Sequence, residues 1–503
     1  MNRLAAFIPK LWSNLITLFG AVLTTFTGLA LIIGVGVELA GAELNQYASS
    51  LLYLILPTLF VVGLLLIPVG LFYERRFAGK HTDDPVRGAF QAAFELIYTY
   101  PRARNLVIFV AALTVANVAI LTVAGYRGLH FVDSPQFCGT VCHSVMQPEF
   151  QAYQRSPHSR VPCVDCHIGA GATWAAKAKV DGLKQVWAVL TNTYDRPIPA
   201  PVHSLRPARE TCERCHWPAK FHGGRLGIYT HYKNDRENSA EMTALLLRVG
   251  GVDPKTGEFR GIHWHVSPNV EVRYQALDGA REKIGRVTKS ENGEVKAVYE
   301  RPGQEGAVSE ERVMDCVDCH NRPTHIYDRS AGTAVDSAID AGRLDRNLPF
   351  LRKVAVKTLE ENIAIPRDRA EPELRRLLGE RYAAEHPQDK PGDEVLDKIA
   401  KVLAEIYLRN IFPDMGVRWD TYPAHIGHRG SEDDTRGCFR CHDDKHVTKD
   451  KKALSQDCDL CHYLLHEEEA PEDVPATLRS LGDPSIEPWT AEEEEEGEEA
   501  GGE

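Results

Sequence analysis

The chain has 503 residues, enough for several domains, and a formal net charge of −12 at pH 7. Residues 467–503 hold 15 Asp or Glu and one Arg, a net of −14, so the rest of the chain is nearly neutral at +2 (−12 minus −14). No basic stripe with interleaved aromatic side chains is present, which argues against a nucleic-acid-binding protein.

Long apolar stretches are confined to the N-terminal part of the chain. Residues 11–37, 51–72 and 106–126 contain no charged side chain. Each stretch reaches the roughly 20 residues that a helix needs to cross a bilayer, whereas a buried core helix is normally shorter and amphipathic. The sequence therefore predicts three transmembrane helices in a membrane domain of residues 1–130, with tolerated kinks at Pro57 and Pro68.

The distribution of Lys and Arg predicts the orientation of these helices. Arg3 and Lys10 precede the first span, the loop 38–50 has no basic residue, and the loop 73–105 has six. The positive-inside rule then places the N-terminus in the cytoplasm and everything after residue 127 in the periplasm. Cleavage at "LAGA" (39–42) as a signal peptide is an alternative, but the preceding apolar run exceeds the 7–15 residues of such a segment.

All twelve cysteines lie in six close pairs, and a histidine directly follows each pair. The motifs are Cys138/Cys142/His143, Cys163/Cys166/His167, Cys212/Cys215/His216, Cys316/Cys319/His320, Cys438/Cys441/His442 and Cys458/Cys461/His462. In C-x-x-C-H, two thiols bind the porphyrin vinyl groups covalently and the imidazole ligates the iron. A zinc site, a disulfide or a thioredoxin-like pair also fits one motif, but six motifs that use every cysteine favour six c-type haems.

The first motif differs from the others because three residues, not two, separate its cysteines. The extra residue lengthens the loop that spans the porphyrin edge. Which side chain ligates the first iron therefore stays open.

Electron-transfer haems need a second axial ligand, usually His or Met. Several histidines lie close to the attachment motifs, although each is also compatible with an ordinary surface histidine. The candidates are His158, His325, His446, His265 (with His263 as the alternative in "HWH") and His428 (with His425 as the alternative in "AHIGH").

The composition after residue 130 changes along the chain. The predicted fold is mainly α: three transmembrane helices, then a periplasmic multihaem domain with little regular structure, short helices and a small β insertion. Haem binding removes the need for a large side-chain core in the motif regions. The predicted regions are 131–220 (motifs 1–3), 221–310 (β insertion), 311–345 (motif 4), 346–424 (helical), 425–466 (motifs 5 and 6) and 467–503 (acidic, disordered).

The stretch "FCGTVCHSVMQPEFQAYQRSPHSRVPCVDCH" resembles the NapC/NirT/NrfH family of membrane-anchored multihaem quinol dehydrogenases. The resemblance is specific over residues 106–216. Beyond it, "GIHWH", "CHNRPTH" and "HIGHRG…GCFRCHDDKH" look like the larger inner-membrane cytochromes of metal-reducing bacteria, which extend this core.

The resemblance implies roles for individual residues. Met146 corresponds to a family Met that can ligate the first iron. Met146 and His143 are therefore both candidate ligands of that iron. Asp181 matches a family acid that approaches the open side of the first haem, and Lys177 and Lys179 approximately match basic residues near the quinol headgroup. The family usually has one anchor helix, which the third span represents; the first two have no assigned role.

Quinol oxidation releases two electrons and two protons, and haem iron accepts electrons singly. A carboxylate beside the first haem, Asp181, is therefore the expected base, with an ordinary surface carboxylate as the alternative. The expected function is a menaquinol dehydrogenase that supplies a periplasmic multihaem cytochrome or reductase, or an extracellular acceptor. The alternatives are an electron-transfer anchor subunit without quinol chemistry and, third, a terminal oxyanion reductase, which would need an open haem.

Overall fold

The protein is described by a computed structural model. The structure describes residues 15–39, 48, 51–77, 101–141, 143–168, 172–201, 207–217, 221, 223–252, 259–303, 310–427, 436–471 and 473–475. The chain divides into two compact units, Met1–Met146 and Gln147–Glu503, and each has its own hydrophobic core.

The first unit is built from apolar helices. Helix α1 spans Leu15–Leu39, helix α2 spans Leu56–Phe77 after a π-helical turn at Leu51–Ile55, and helix α3 spans Pro101–Val132. Small residues allow α1 and α2 to approach closely, as in membrane helix pairs. A Cβ atom at Gly20 would lie only 2.8 Å from the carbonyl oxygen of Gly63. Leu31 and Phe60 are fully buried in this unit.

Two of the described helices contain stretches long and apolar enough to cross a membrane, Leu15–Val37 and Ala112–Val132. The second predicted span corresponds to a shorter apolar helical stretch, Leu51–Ile67. The structure thus has two candidate membrane helices, and the third crossing stays a prediction.

The second unit combines short helices, longer helices and small sheets. Its helices, with the one that enters it from the first unit, are α4 (His143–Gln154), α5 (Cys163–His167), α6 (Ala172–Thr191), α7 (Ala208–Cys212), α8 (Cys316–Cys319), α9 (Ala331–Asp340), α10 (Leu351–Glu360), α11 (Ala370–Glu385) and α12 (Asp393–Asn410).

The strands lie mainly where the sequence has β-type composition. They are β1 (Arg225–Tyr232), β2 (Ala240–Leu247), β3 (Gly251–Val252), β4 (Phe259–Arg260), β5 (Val270–Ala276), β6 (Ile284–Glu291), β7 (Glu294–Tyr299), β8 (Glu310–Val313) and β9 (His462–Glu469). Antiparallel pairing gives a four-stranded sheet in the order β7-β6-β5-β8, a three-stranded sheet in the order β1-β2-β9 and the β3-β4 pair. In β5, Val270, Val272 and Tyr274 alternate into the core because side chains alternate between the faces of a strand.

Helices α9 to α12 enclose the largest apolar core of this unit. Leu378, Tyr382 and Tyr407 are completely buried there, and the two phenols donate hydrogen bonds to the carbonyl oxygens of Pro349 (3.0 Å) and Ile365 (2.9 Å). The side chains therefore fill the space between these helices and satisfy their own polar atoms, as a stable core requires.

Strand β9 departs from the sequence-based expectation. Residues 425–466 were expected to have little regular structure and residue 467 to begin a disordered tail, yet His462–Glu469 forms a strand. The reason is non-local: β2 supplies the backbone hydrogen-bond partners, with Leu247 opposite His462 and Met242 opposite Glu469. Residues 476–503 of the predicted tail lie outside the described residues.

Candidate haem sites

The described attachment motifs lie on single helical turns. Motif 2 forms helix α5, motif 4 forms α8, and motif 3 begins in the last residue of α7. Motifs 5 and 6 lie on 3₁₀ turns at Gly437–Arg440 and Cys458–Leu460. A spacing of three residues brings two side chains to the same side of a helical turn, so the two thiols of each motif are presented together.

The first motif has a different local structure. Cys138 lies in a π-helical turn, Phe137–Val141, and a π turn accommodates more residues than an α turn. This geometry suits the extra residue between the two cysteines. Cys142 and the side chain of His143 lie outside the described part, and Met146 follows in the first turn of α4.

The two cysteines of motif 3 differ in their exposure. Cys212 is half-buried, whereas Cys215 is exposed. Cys215 lies beyond the end of α7, in a surface turn where its N–H donates to the Cys212 carbonyl oxygen at 3.1 Å. Cys166, Cys319 and Cys458 are exposed in the same way, so Cys215 stays a predicted attachment residue at an accessible edge of its motif.

Four motif histidines each face a second histidine ring across a similar gap. The pairs are His216 with His158, His167 with His325, His320 with His263, and His442 with His265, with ring centres 6.0, 6.1, 6.3 and 6.0 Å apart.

The gap has the width that an iron ion between two imidazoles requires. A metal–imidazole bond is about 2 Å long, so a metal held by two rings separates the ring centres by roughly 6 Å. The four pairs match this separation although their interplanar angles range from 6° to 86°. The residues present therefore fit a haem iron with two histidine ligands.

Hydrogen bonds hold the distal histidines in a common orientation. In each, Nδ1 lies near a backbone carbonyl oxygen and Nε2 is left for a metal, the usual second-shell arrangement of a metal-binding histidine. The carbonyl partners are Pro323 for His158 (3.2 Å), Glu149 for His325 (3.0 Å), Val249 for His263 (3.1 Å) and Ile262 for His265 (2.9 Å).

The surroundings of His265 and His325 favour the neutral form of these two rings. Burial lowers the pKa of His265. Burial also lowers the pKa of His325, against the smaller opposing effect of the Glu149 carboxylate. Glu149 is itself paired with Arg322 at 3.0 Å. Because a metal binds the deprotonated nitrogen, these rings are prepared for ligation.

The pairings differ in part from the sequence-based candidates. His263 and His265 were treated as alternatives, but each faces a different motif histidine. His446, also a candidate, is fully buried with Nδ1 2.8 Å from Asp443 Oδ1 and Nε2 3.2 Å from the Ile284 carbonyl oxygen. Both of its ring nitrogens thus face protein oxygens, which leaves none for an iron.

Of the two histidines in "AHIGH", only His425 belongs to the described residues. His428 is outside the described residues. His425 is buried, its Nδ1 lies 3.2 Å from the carbonyl oxygen of Asp318, and Nε2 has no hydrogen-bond partner among the described residues. Burial lowers the pKa of His425 to about 3, so this ring is neutral.

Neighbouring motifs in the chain are also neighbours in space. Cys166 lies near Cys212, and the Cys212 thiol lies near the Cys316 thiol. Cys319 is close to Cys438, whose thiol in turn lies near that of Cys461. Motifs 2, 3, 4, 5 and 6 therefore form one row in chain order.

A buried polar cluster joins motifs 4 and 5 within this row. Arg440, between the two cysteines of motif 5, donates to the carbonyl oxygens of Asp318 (2.6 Å) and Arg281 (2.7 Å). The Asp318 carboxylate, in motif 4, accepts a 2.6 Å hydrogen bond from the Tyr274 hydroxyl and lies 3.7 Å from Arg281. A polar network of this kind fixes the geometry of the segments that it joins.

The residues expected at the quinol site lie on helix α6. The Asp181 carboxylate accepts a 3.0 Å hydrogen bond from Lys184 Nζ, and its side chain is 38% exposed. Lys177 is exposed and the side chain of Lys179 lies outside the described part. Lys184, which the sequence analysis did not single out, is recognisable from its i, i+3 spacing to Asp181.

A disulfide and a zinc cluster are the alternatives to haem attachment at these cysteines. None of the eleven described cysteines forms a disulfide. Within the same residues, no group of three or more His, Cys, Asp or Glu side chains could hold a zinc ion.

Comparison with known proteins agrees with this arrangement. Residues 101–200 match the N-terminal region of the NapC/NirT cytochrome c family. The chain is 41% identical over 468 residues to the cytochrome c-type protein ImcH of Geobacter sulfurreducens, an alignment that covers 90% of this chain and 88% of that protein. No solved structure matches the chain. The chain therefore belongs to the NapC/NirT cytochrome c family, in an extended form similar to ImcH.

Proposed function

We propose that this protein is a membrane-anchored hexahaem cytochrome that oxidises menaquinol at the outer face of the cytoplasmic membrane. It passes the electrons to a periplasmic multihaem cytochrome or reductase, or to an extracellular acceptor. The observation that carries this proposal is the set of four histidine pairs, each about 6 Å apart, in motifs that contact one another in sequence order.

The twelve motif cysteines hold the six haems, and the motif histidines serve as proximal ligands. His325, His158, His263 and His265 are the distal ligands for motifs 2 to 5, respectively. In the first motif, Met146 or His143 ligates the iron. When bound, the haems accept and release single electrons and exchange them with their neighbours.

The residues themselves keep the row continuous. The Cys212 and Cys316 thiols lie close together, as do the Cys438 and Cys461 thiols, so haems held by successive motifs would be neighbours. Arg440 and Asp318 hold motifs 4 and 5 together through buried hydrogen bonds. Electrons would enter near the first motif and leave near motif 6, where Cys458 and Leu460 are exposed.

At the quinol end, Asp181 is the proposed proton acceptor, with Lys177 and Lys179 near the headgroup. Its carboxylate oxygen takes a quinol proton as the electrons leave. The Lys184 ammonium, paired with that oxygen at 3.0 Å, orients it and balances its charge. The proposed topology has three transmembrane helices, a cytoplasmic N-terminus and all six motifs in the periplasm, as the Lys and Arg distribution predicts.

The test uses the full-length protein in lipid nanodiscs with menaquinol as the sole reductant. Haem reduction, followed by stopped-flow absorbance, is expected without any second protein. Reduction that requires an added protein would make the chain an electron-transfer anchor subunit instead.

A pair of variants tests the proton acceptor. Asp181→Asn should slow menaquinol oxidation by about 10²-fold, the contribution typical of a general base, while intact mass still shows every haem. Asp195→Asn is the matched control because Asp195 is exposed just beyond α6, and its rate should equal that of the unmodified protein. An unchanged rate for Asp181→Asn would remove Asp181 from the mechanism.

A further inference from the structure

Helix α6 carries an exposed apolar stripe that none of the roles above explains. Val180, Leu183, Trp187 and Leu190 are 57%, 70%, 68% and 76% exposed. Their spacing of three, four and three residues places them on one face of the helix. Val186, 48% exposed, borders the same face.

On the other side of α6, Ala178, Gly182 and Val189 are partly buried. The exposed side chains of the stripe form a continuous apolar surface along one face of the helix, unlike the single exposed apolar residues that occur on any protein.

The charges beside the stripe indicate what covers it. Lys177 and Lys184 are exposed along its edge, and the Lys184 side chain is 75% exposed. Trp and Lys beside an apolar helix face are typical of helices that lie in a membrane interface, where Lys reaches anionic headgroups. The core of a protein–protein interface, in contrast, is depleted of Lys.

The chain also supplies the surface that such a helix would bind. Helix α6 starts at Ala172, forty residues after α3 ends at Val132, and α3 contains one of the two candidate membrane-spanning stretches. This tether keeps α6 at a high effective concentration near the bilayer.

We propose that α6 lies in the plane of the membrane interface, with Val180, Leu183, Trp187 and Leu190 in the acyl region and Lys177 and Lys184 at anionic headgroups. The inference rests on the membrane anchoring in the proposed function, but not on quinol oxidation. It makes α6 a second membrane contact, on the helix that carries Asp181.

The test is photolabelling of the full-length holoprotein in nanodiscs of phosphatidylcholine and phosphatidylglycerol that contain a lipid with a diazirine in its acyl chain. Tryptic peptides are mapped by mass spectrometry. Label on the peptide that starts at Gln185 should exceed, by roughly tenfold, the label on the peptide containing Val295, an isolated apolar residue that is 62% exposed in β7.

Paired variants separate membrane contact from chance labelling. Leu183→Gln with Trp187→Gln should reduce the α6 label several-fold, because each buried apolar side chain contributes to partitioning. Tyr229→Gln with Val295→Gln, two exposed apolar sites in strands, should leave it unchanged. Background label on α6, or a cross-link between α6 helices of two copies, would overturn the inference.

Menaquinol oxidation is measured on the same nanodiscs. Labelled α6 without turnover would support the membrane contact and reject the quinol function. Turnover with unlabelled α6 would support the quinol function and reject the membrane contact of α6.

Discussion

The helical segment α9 to α12 and the haem-motif segments differ in how many of their residues are buried. In the helical segment, Leu378, Tyr382 and Tyr407 are completely buried. The motif 2 helix and the motif 6 turn have no buried residue at all, and the motif 4 helix buries only Asp318. One region makes its own core from side chains, whereas the other brings thiols and imidazoles together.

That difference shows what the cofactor contributes to folding. Pairs of imidazoles about 6 Å apart have the separation that a metal ion between them requires. A porphyrin attached to the nearby cysteines would supply apolar surface to these segments. We therefore expect the motif segments to depend on haem and the helical segment to fold without it.

The largest effect should come from removing one attachment site. Cys316→Ser with Cys319→Ser should lower the intact mass by one haem and leave motif 4 unfolded. Hydrogen exchange should show loss of protection around α8 and β5, while α11 and α12 stay protected because their core needs no haem. Equal loss of protection in α11 would show that the two regions do not differ as proposed.

A cavity in the helical core tests the other side of the comparison. Leu378→Ala removes a completely buried side chain and should lower the free energy of unfolding by ~2–5 kcal/mol, measured by denaturant titration. The number of haems should not change. Val295→Ala, at an exposed position, is the control and should leave the free energy of unfolding nearly unchanged. Loss of haem in Leu378→Ala would show that haem attachment depends on the helical core.

Two histidines, the partly buried His263 and the fully buried His446, sharpen the distinction between a ligand and a structural residue. His263→Ala should convert one haem from low spin to high spin, visible in absorption and EPR spectra, because His263 faces His320 at 6.3 Å. His446→Ala should change no spin state, since both of its nitrogens bond to protein oxygens. It should instead lower the free energy of unfolding by ~1–3 kcal/mol, because it removes the contacts of a fully buried ring with Asp443 Oδ1 and the Ile284 carbonyl oxygen. High-spin haem in His446→Ala would reverse this assignment.

The smallest effect is expected on the surface of the helical segment. Lys398 pairs with Glu394 at 2.8 Å, but the two side chains are 73% and 85% exposed. Lys398→Ala should change the free energy of unfolding by no more than ~0.5 kcal/mol. A larger change would mean that the helical segment depends on its surface charges as well as its apolar core.

Features encoded over short stretches were predictable. The six cysteine pairs with their histidines are local motifs, and the apolar periodicity of "LPFLRKVAVKTLEENI" indicates the helix that the structure has at Leu351–Glu360. The family resemblance seen in residues 106–216 is confirmed by the match to the NapC/NirT family. Helices and small sheets occur together as expected, with two of the three predicted membrane spans long enough among the described residues.

Features that depend on contacts between distant segments were not predictable from the sequence. His325, five residues after one motif histidine, faces His167 of another motif. His446, four residues after His442, is instead held by Asp443 and the Ile284 carbonyl. Proximity in sequence does not indicate these pairings, because the rings that face each other come from segments far apart in the chain.

The sequence by itself determined which side chains could tether haem and which stretches are apolar enough for a membrane. It also determined where the helices with a regular apolar period lie. Each of these depends on residue type and spacing within one or two turns of chain. Only the tertiary structure decided which histidine faces which motif, that β9 completes the sheet with β2, and that the motifs follow one another in space. Those arrangements depend on contacts between residues far apart in the chain, which local spacing does not specify.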